Sequence, residues 1–178
     1  MTRSFLATAS LARVGLFLTA CLAGASLSSP ALAEYPAFAP PGEHFTIPFP
    51  AGAQESDTAP NGNPLHQWSR SDGDFFYAVG HIVSSGKPFT GAQLSGDLAD
   101  FIKGTNATLL SQQNIGWPSP DGRAEAVQFH FRLPNGLLGQ GLFVWDGVNG
   151  YSAAILDRHT GSESPYMMQY INSLTILP

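Results

Sequence analysis

The chain has 178 residues, of which 43% are hydrophobic, 11% aromatic and only 12% charged, and its formal net charge is −5. Charged side chains are about half as frequent as in an ordinary soluble domain while the apolar share is ordinary, which predicts a folded protein with a neutral polar surface. The excess of acids argues against binding to nucleic acid or to anionic membrane surfaces.

The first 33 residues have the pattern of a secretory signal peptide. Residues 1–13 contain two basic residues, Arg3 and Arg13, and no acidic residue. Residues 14–27 are apolar and small, and residues 31–33 read Ala-Leu-Ala. Small residues in this arrangement mark a cleavage site, and an apolar stretch of this length is too short for a membrane span. We therefore expect cleavage after Ala33 and a periplasmic or secreted protein with no membrane span.

The residues that end at Cys21 form a rival cleavage signal. Residues 18–21 read Leu-Thr-Ala-Cys, which resembles the bacterial lipoprotein signal, in which the cysteine becomes the lipid-modified first residue. The apolar run continues past Cys21, which favours ordinary cleavage; a lipoprotein anchored through Cys21 is the alternative. Ordinary cleavage removes the sole cysteine and with it any disulfide or thiolate chemistry. Without Arg3 and Arg13, six basic residues face 13 acids, a net charge near −7.

About 145 residues remain after Ala33, which is the size of one domain whose hydrophobic core is large enough to need no disulfide or metal. Residues 34–43 are rich in proline and are expected to form an extended, weakly ordered leader. Residues 44–178 are expected to form the single domain. Its first strand is predicted over 44–49, where Pro48 favours an edge or outward-facing position.

The next part of the chain predicts a hairpin. After a polar loop over residues 50–63, strands over 65–71 and 75–83 are joined by a segment with an Asp-Gly turn cue. The second of these strands is apolar on both faces, which is typical of a central strand covered on both sides.

A helix is predicted over residues 90–103. Thr90 is suited to the N-cap, Gly104 to the C-terminal end, and the apolar positions recur at helical spacing. Those positions are Leu94, Leu98, Phe101 and Ile102. A strand over 108–115 and a loop over 116–122 are expected to follow.

Residues 124–156 predict three antiparallel strands, and Pro134-Asn135-Gly136 predicts a three-residue turn with a bulge between the first two. This turn pairs Phe129 with Gly141 and Phe131 with Gly139, so that one face carries large rings beside glycines. The other face is mixed and pairs His130 with Gln140. The competing two-residue turn moves every partner by one and places Pro134, which has no N–H, in a hydrogen-bonded pair.

The end of the chain predicts a third strand of this meander over 151–157, then a helix and a short last strand over 175–177. Thr160 and Glu163 have the spacing of a capping box, and Pro165 fits the start of a helix. The apolar stripe of this helix is Met167, Tyr170, Ile171 and Leu174. The predicted fold is therefore a single α+β domain with a mostly antiparallel sheet packed with two helices.

This order of elements resembles the PsbP-like superfamily. The opening residues 45–50, Phe-Thr-Ile-Pro-Phe-Pro, and the closing residues 170–176, Tyr-Ile-Asn-Ser-Leu-Thr-Ile, match its loose core patterns. The resemblance covers residues 45–177 in outline and implies an α/β/α sandwich. It also implies a non-enzymatic binding or assembly module, because that group, which includes PsbP, DcrB-type lipoproteins and a Ran-binding import factor, shares no active site.

Candidate site residues are few. The five histidines are scattered without a metal-binding motif, and no nucleophile or phosphate-binding motif is present, so we expect neither a metal site nor a cofactor. Trp117, in a proline-flanked loop, is a candidate for an exposed binding ring, although packing over a sheet edge is the stronger expectation. His130 and Gln140, paired on the mixed face, are the other candidate binding residues.

The sequence thus predicts an exported, non-catalytic binding or accessory module of the bacterial cell envelope, which contacts another envelope protein or a small ligand. Two alternatives remain. One is a hydrolase or isomerase whose site combines dispersed residues such as His81, His130 and Asp157. The other is a structural lipoprotein anchored at Cys21. Nothing in the sequence indicates an oligomeric state.

Overall fold

A seven-stranded antiparallel sheet forms the centre of the protein. The computed structural model describes residues 35–59, 62–159 and 164–178. Within them the chain forms β1 (Ala37–Phe38), β2 (Phe45–Pro48), β3 (Gln54–Thr58), β4 (Leu65–Asp72), β5 (Phe75–Val83), α1 (Gly91–Thr105), β6 (Thr108–Ser119), β7 (Gly122–Arg132), β8 (Leu138–Asp146), β9 (Asn149–Asp157), α2 (Pro165–Asn172) and β10 (Thr175–Ile176). The large sheet has the strand order β3-β4-β5-β9-β8-β7-β6, and a small sheet has the order β1-β2-β10. The protein is a single-domain α+β fold, as predicted.

The hairpin of β7 and β8 has the predicted bulged turn. The N–H of Leu133 donates to the carbonyl of Leu137 at 2.9 Å, and the N–H of Gly136 donates to the carbonyl of Leu133 at 2.9 Å. Gly136 has a φ of +88°, which a residue without a Cβ adopts at little cost. The predicted register is confirmed along the whole hairpin, including the pairs Phe129 with Gly141 and His130 with Gln140.

One face of the sheet is packed against α1. The ring of Phe101 on this helix lies edge-on to Phe129 and to Phe131, with centroids 5.3 Å and 5.1 Å apart. A Cβ added at Gly139 would overlap the ring of Phe131, and one at Gly141 the ring of Phe129. The two glycines therefore make room for the rings on which α1 rests.

The opposite face is covered by α2 and the small sheet. Its core includes Phe45 and Ile47 from β2, Tyr170 from α2 and Tyr77 from β5, all of them buried. As predicted for a central strand, β5 is buried on both faces, since Phe76 and Ile82 belong to the core under α1. Each face of the central sheet thus has its own hydrophobic core.

Two strands lie where the sequence predicted none. In the proline-rich leader, β1 pairs with β2, and Phe38 stacks on Phe49 with centroids 5.1 Å apart, so this segment packs on the domain. In the predicted loop over 50–63, β3 pairs with β4 along the edge of the sheet. The strand was missed because its residues, Gln-Glu-Ser-Asp-Thr, carry no apolar alternation.

One predicted boundary needs correction. The first helix ends at Thr105 rather than before Gly104, because Asn106, with a φ of 52°, takes the left-handed position that ends it. Pro48 ends β2 and is half-buried between the buried Ile47 and Phe49, in keeping with the outward-facing position; β2 itself is the middle strand of the small sheet and not an edge. The predicted capping box of the last helix lies outside the described residues; in the structure Ser164 caps α2 and accepts from the N–H of Tyr166 at 3.3 Å.

Replacing Gly141 with alanine is expected to destabilise the protein by about 1–3 kcal/mol, because the added methyl forces the ring of Phe129 out of its place. Gly96→Ala is the matched control, since a Cβ there meets nothing within 4 Å and alanine is the better helix former. Urea unfolding followed by circular dichroism measures both. Equal stability of Gly141→Ala and the unmodified protein would contradict the close packing of ring and glycine.

Candidate functional site

The outer edge of β6 is a long open edge of the large sheet. In the described part of the chain β6 pairs with β7 alone, and it carries no charged residue over its 12 positions. Residues 108–114 are all exposed, and Leu109 and Leu110 are two of the three large hydrophobic residues that the surface exposes in this part of the chain. Natural edge strands are usually protected against pairing by charges or by being short. The strand has neither of these protections; a β-bulge between Leu109 and Ser111 and Pro118 near the other end leave residues 111–117 as its open part.

The direction of the backbone groups in β6 follows from the β7–β8 hairpin. Leu133 directs both its N–H and its carbonyl toward β8. Because these directions alternate along antiparallel strands, odd-numbered residues of β7 bond to β8 and even-numbered ones to β6. In the β6–β7 register Gln113 opposes Gln128, so from Ser111 onward, beyond the bulge, odd-numbered residues of β6 bond to β7. The backbone groups of Gln112 and Asn114 therefore point to the open edge.

Pro118 agrees with this assignment. It is an even-numbered residue of β6, so its missing N–H costs no bond in the ladder with β7. This is the physical reason why the strand continues to Ser119, through residues that the sequence predicted to be a loop.

A groove of about 580 Å³ runs beside this edge, between α1 and β6. The helix contributes Leu98, Ala99 and Ile102 to one wall, and Leu109 and Gln112 of β6 form the other. The groove is mostly apolar, and Lys103 adds a cation to its lining. It therefore offers apolar contact directly alongside the outward-facing backbone.

The opposite edge of the sheet is built differently. The edge strand β3 has five residues, among them Glu55 and Asp57, and both acids are exposed. A short strand with charged side chains is a typical protected edge. The two edges of one sheet thus differ in length and in charge.

The candidate binding residues from the sequence lie apart from the β6 groove. Trp117 belongs to β6 but turns toward the core under α2 and is only 7% exposed. His130 is half-buried, its neighbour Gln140 is buried, and the two lie side by side on β7 and β8. The nearby Gln128 donates from Nε2 to Oδ1 of Asn172 on α2 at 2.6 Å. Cys21 lies outside the described residues.

The dispersed histidines and acid proposed for an enzyme do not converge. His81 and His130 share a face of the sheet but are three strands and four residues apart, about 19 Å at ordinary strand spacing. Asp157 pairs with Phe75, six residues along β5 from His81, about 20 Å away. These three residues do not form one site.

The structure brings together a different polar cluster, at the junction of β4, β5 and the turn before β2. His66 and His81 are directly opposite each other on β4 and β5. Nδ1 of His81 contacts Oε2 of Glu43, and its Nε2 lies 3.1 Å from Oδ1 of Asn149. Nδ1 of His66 lies 3.6 Å from Oε1 of the same Glu43. The Glu43 side chain, only 8% exposed, is thus held between two imidazoles.

Sequence reasoning missed this cluster although one signal for it was present. A two-residue turn at Gly73-Asp74 pairs Asp72 with Phe75, and counting outward from that pair sets His66 opposite His81. Glu43 carried no such signal, since only the packing of the turn before β2 onto the sheet brings its carboxylate there.

Two buried tyrosines, Tyr151 and Tyr77, lie in the core next to this cluster. The ring of Tyr151 stacks on His81 with centroids 4.8 Å apart, and burial, together with the nearby charges of Asp146 and Glu43, raises the pKa of Tyr151 to about 12. Burial, reinforced by its contacts with Tyr166 and Tyr35, also raises the pKa of Tyr77. These hydroxyls stay neutral at physiological pH.

Searches with the sequence find no matching family model and no matching curated protein. None of the helices in the described ranges has the length and apolar character needed to cross a bilayer.

The protein is expected to lose stability in alkali. A folded-state pKa of about 12 at Tyr151, against 10.0 ordinarily, means that the unfolded chain releases this proton first, so stability is full below pH 10 and falls as the pH rises toward 12. The expected slope is about 1.4 kcal/mol per pH unit for each such group. Urea unfolding at several pH values measures it, and Tyr151→Phe should lower the slope by the share of one group. A phenolate absorbance near pH 10 that the folded unmodified protein shows and Tyr151→Phe lacks would contradict the burial of Tyr151.

Proposed function

We propose that the protein is an exported, non-catalytic binding module of the bacterial cell envelope, and that it holds an extended segment of a partner protein against β6. The observation that carries this proposal is the open, uncharged edge of β6 beside the α1 groove. An extended segment of a protein is the occupant that satisfies a row of outward-facing N–H and carbonyl groups, because it supplies the complementary backbone groups at the same spacing.

The binding mode follows from the alternation of strands. A segment added to β6 bonds to the backbone of Gln112 and Asn114, and its alternate side chains point toward the α1 side of the sheet. There they meet Ala99, Ile102 and Leu109 in the groove. The backbone provides affinity without sequence preference, and the groove selects small or branched apolar residues at every second position of the partner.

Export and family membership belong to the same proposal. The signal pattern before Ala33 supports a periplasmic or secreted location, with a lipoprotein anchored through Cys21 as its alternative. The element order supports a PsbP-like α/β/α sandwich, and helices lie on both faces of the central sheet. A binding role needs no reactive constellation, which is consistent with the separation of His81, His130 and Asp157.

Gln112→Pro is expected to weaken partner binding while the domain remains folded. Proline removes an outward-facing N–H that the β6–β7 ladder does not use, so the loss falls on the partner. One lost hydrogen bond is worth about 1 kcal/mol, and the ring also blocks close approach, so affinity should fall by about 10-fold or more. The measurement is capture of partners from envelope extract by the immobilised protein, followed by the affinity of the captured protein for each variant.

Gln112→Thr is the matched control, because it changes the same side chain and keeps the N–H; it should bind more tightly than Gln112→Pro, and the difference measures the outward-facing N–H. Hydrogen exchange of the complex should show new protection at the amides of Gln112 and Asn114. Equal binding by Gln112→Pro, or a complex that leaves these two amides unprotected, would refute strand addition at β6, and so would the absence of any captured partner.

A further inference from the structure

We propose that the opposite edge of the sheet binds a divalent transition metal ion, with Zn²⁺ the best fit, through Glu55, Asp57 and His66, joined by the buried Glu43 beside His66. This site is independent of the β6 groove and of any partner bound there.

Nδ1 of His66 stands at the spacing of a metal ligand from two carboxylate oxygens. Asp57 on β3 lies directly opposite His66 on β4, and Oδ1 of Asp57 is 3.3 Å from Nδ1 of His66. The same Nδ1 is 3.6 Å from Oε1 of Glu43. Ligand atoms on a tetrahedral Zn²⁺ with bonds of about 2.0–2.2 Å lie about 3.3–3.6 Å from one another. The exposed side chain of Asp57 can turn, so an ion that it shares with His66 can also be approached by Glu43 while the strands stay in place.

Glu55 is placed to complete the coordination. It lies two residues from Asp57 on the same face of β3, and one ligand atom each from Glu55, Asp57 and His66 fall within 4.8 Å of one another. Its side chain is exposed and therefore has the freedom to turn toward the ion. The coordination is then completed by Glu55 or by water, as in zinc sites that are open to solvent.

His81 orients the buried ligand. It contacts Oε2 of Glu43, and Asn149 in turn lies 3.1 Å from the other ring nitrogen. Oε1 of Glu43 is left facing His66. Groups that hydrogen-bond to a metal ligand without touching the ion usually contribute 10- to 100-fold to metal affinity. His81 is thus a positioning residue, since it acts on the ion through Glu43.

The composition of the site favours Zn²⁺ over the hard cations. Three carboxylates, from Glu43, Glu55 and Asp57, gather around one edge, and a divalent cation offsets their mutual repulsion. The imidazole nitrogen of His66 distinguishes the site from those of Ca²⁺ and Mg²⁺, which are built from oxygen ligands alone. Mixed nitrogen and oxygen donors in a small cluster are typical of zinc.

Titration calorimetry with Zn²⁺ tests the site directly. The purified protein should bind one Zn²⁺ per chain, with a higher melting temperature that a chelator reverses, and Ca²⁺ should not compete. His66→Ala and Asp57→Asn should each lower the affinity by about 100-fold or more, beyond the loss typical of an outer-shell group. Asp57 is 63% exposed, so Asp57→Asn leaves the fold intact and the result interpretable.

His159→Ala is the matched control. His159 also lies between two carboxylates, 3.1 Å from Asp74 and 3.4 Å from Asp157, but it is near the other end of β5. Its loss should not change Zn²⁺ affinity. Unchanged affinity in Asp57→Asn, or Ca²⁺ binding as tightly as Zn²⁺, would overturn the proposal. Partner capture through β6 should be the same in all of these variants, so the two proposals fail separately.

The role of His81 is tested with Co²⁺ in place of Zn²⁺. His81→Gln should weaken binding by about 10- to 100-fold and shift the visible absorption bands of the bound Co²⁺, because the carboxylate of Glu43 turns. A general loss of stability would lower the melting temperature of the metal-free protein without moving those bands. Unchanged bands and affinity would refute the positioning role.

Discussion

The fit of two phenylalanine rings over two glycines determines how the rest of this protein packs. Phe129 and Phe131 on β7 lie across Gly141 and Gly139 on β8, where no Cβ has room. The rings fill the hollow that the glycines leave and form the platform for Phe101 of α1. If either glycine had a side chain, the rings would rise and the helix would have to move away from the sheet.

The position of α1 in turn shapes the surface of the protein. Because the helix packs over β7 and β8, it stops short of the outermost strand and leaves a groove between itself and β6. Beyond the groove lies the open edge, whose backbone directions follow from the same hairpin. At the other side of the sheet, β3 extends the edge with acids that meet His66 and the buried Glu43. One sheet therefore presents a neutral edge suited to a strand and an acidic edge suited to a cation.

Much of the fold was predictable because its signals are local. The turn at Pro134-Asn135-Gly136 fixed the register of the β7–β8 hairpin, and the apolar stripe of α1 gave the buried face of the helix. The extent of β6 and the existence of β3 were not predictable. Both are edge strands whose polar residues lack alternation, and their strand conformation depends on pairing with the next strand along the chain rather than on their own residues. The candidate site at β6 was missed for a related reason: the sequence predicted β6 as a strand, but not as an edge.

The sequence by itself determined the class of the fold, the β7–β8 register and the helix faces, because turns and periodicity act over a few neighbouring residues. It also contains a pattern typical of export. Only the tertiary structure decided which strands became edges, that Trp117 turns inward, and that Glu43 lies between His66 and His81. Those outcomes depend on contacts between segments far apart in the chain, such as the turn before β2 with β4 and β5. The pattern of residues in any one segment carries no record of such contacts.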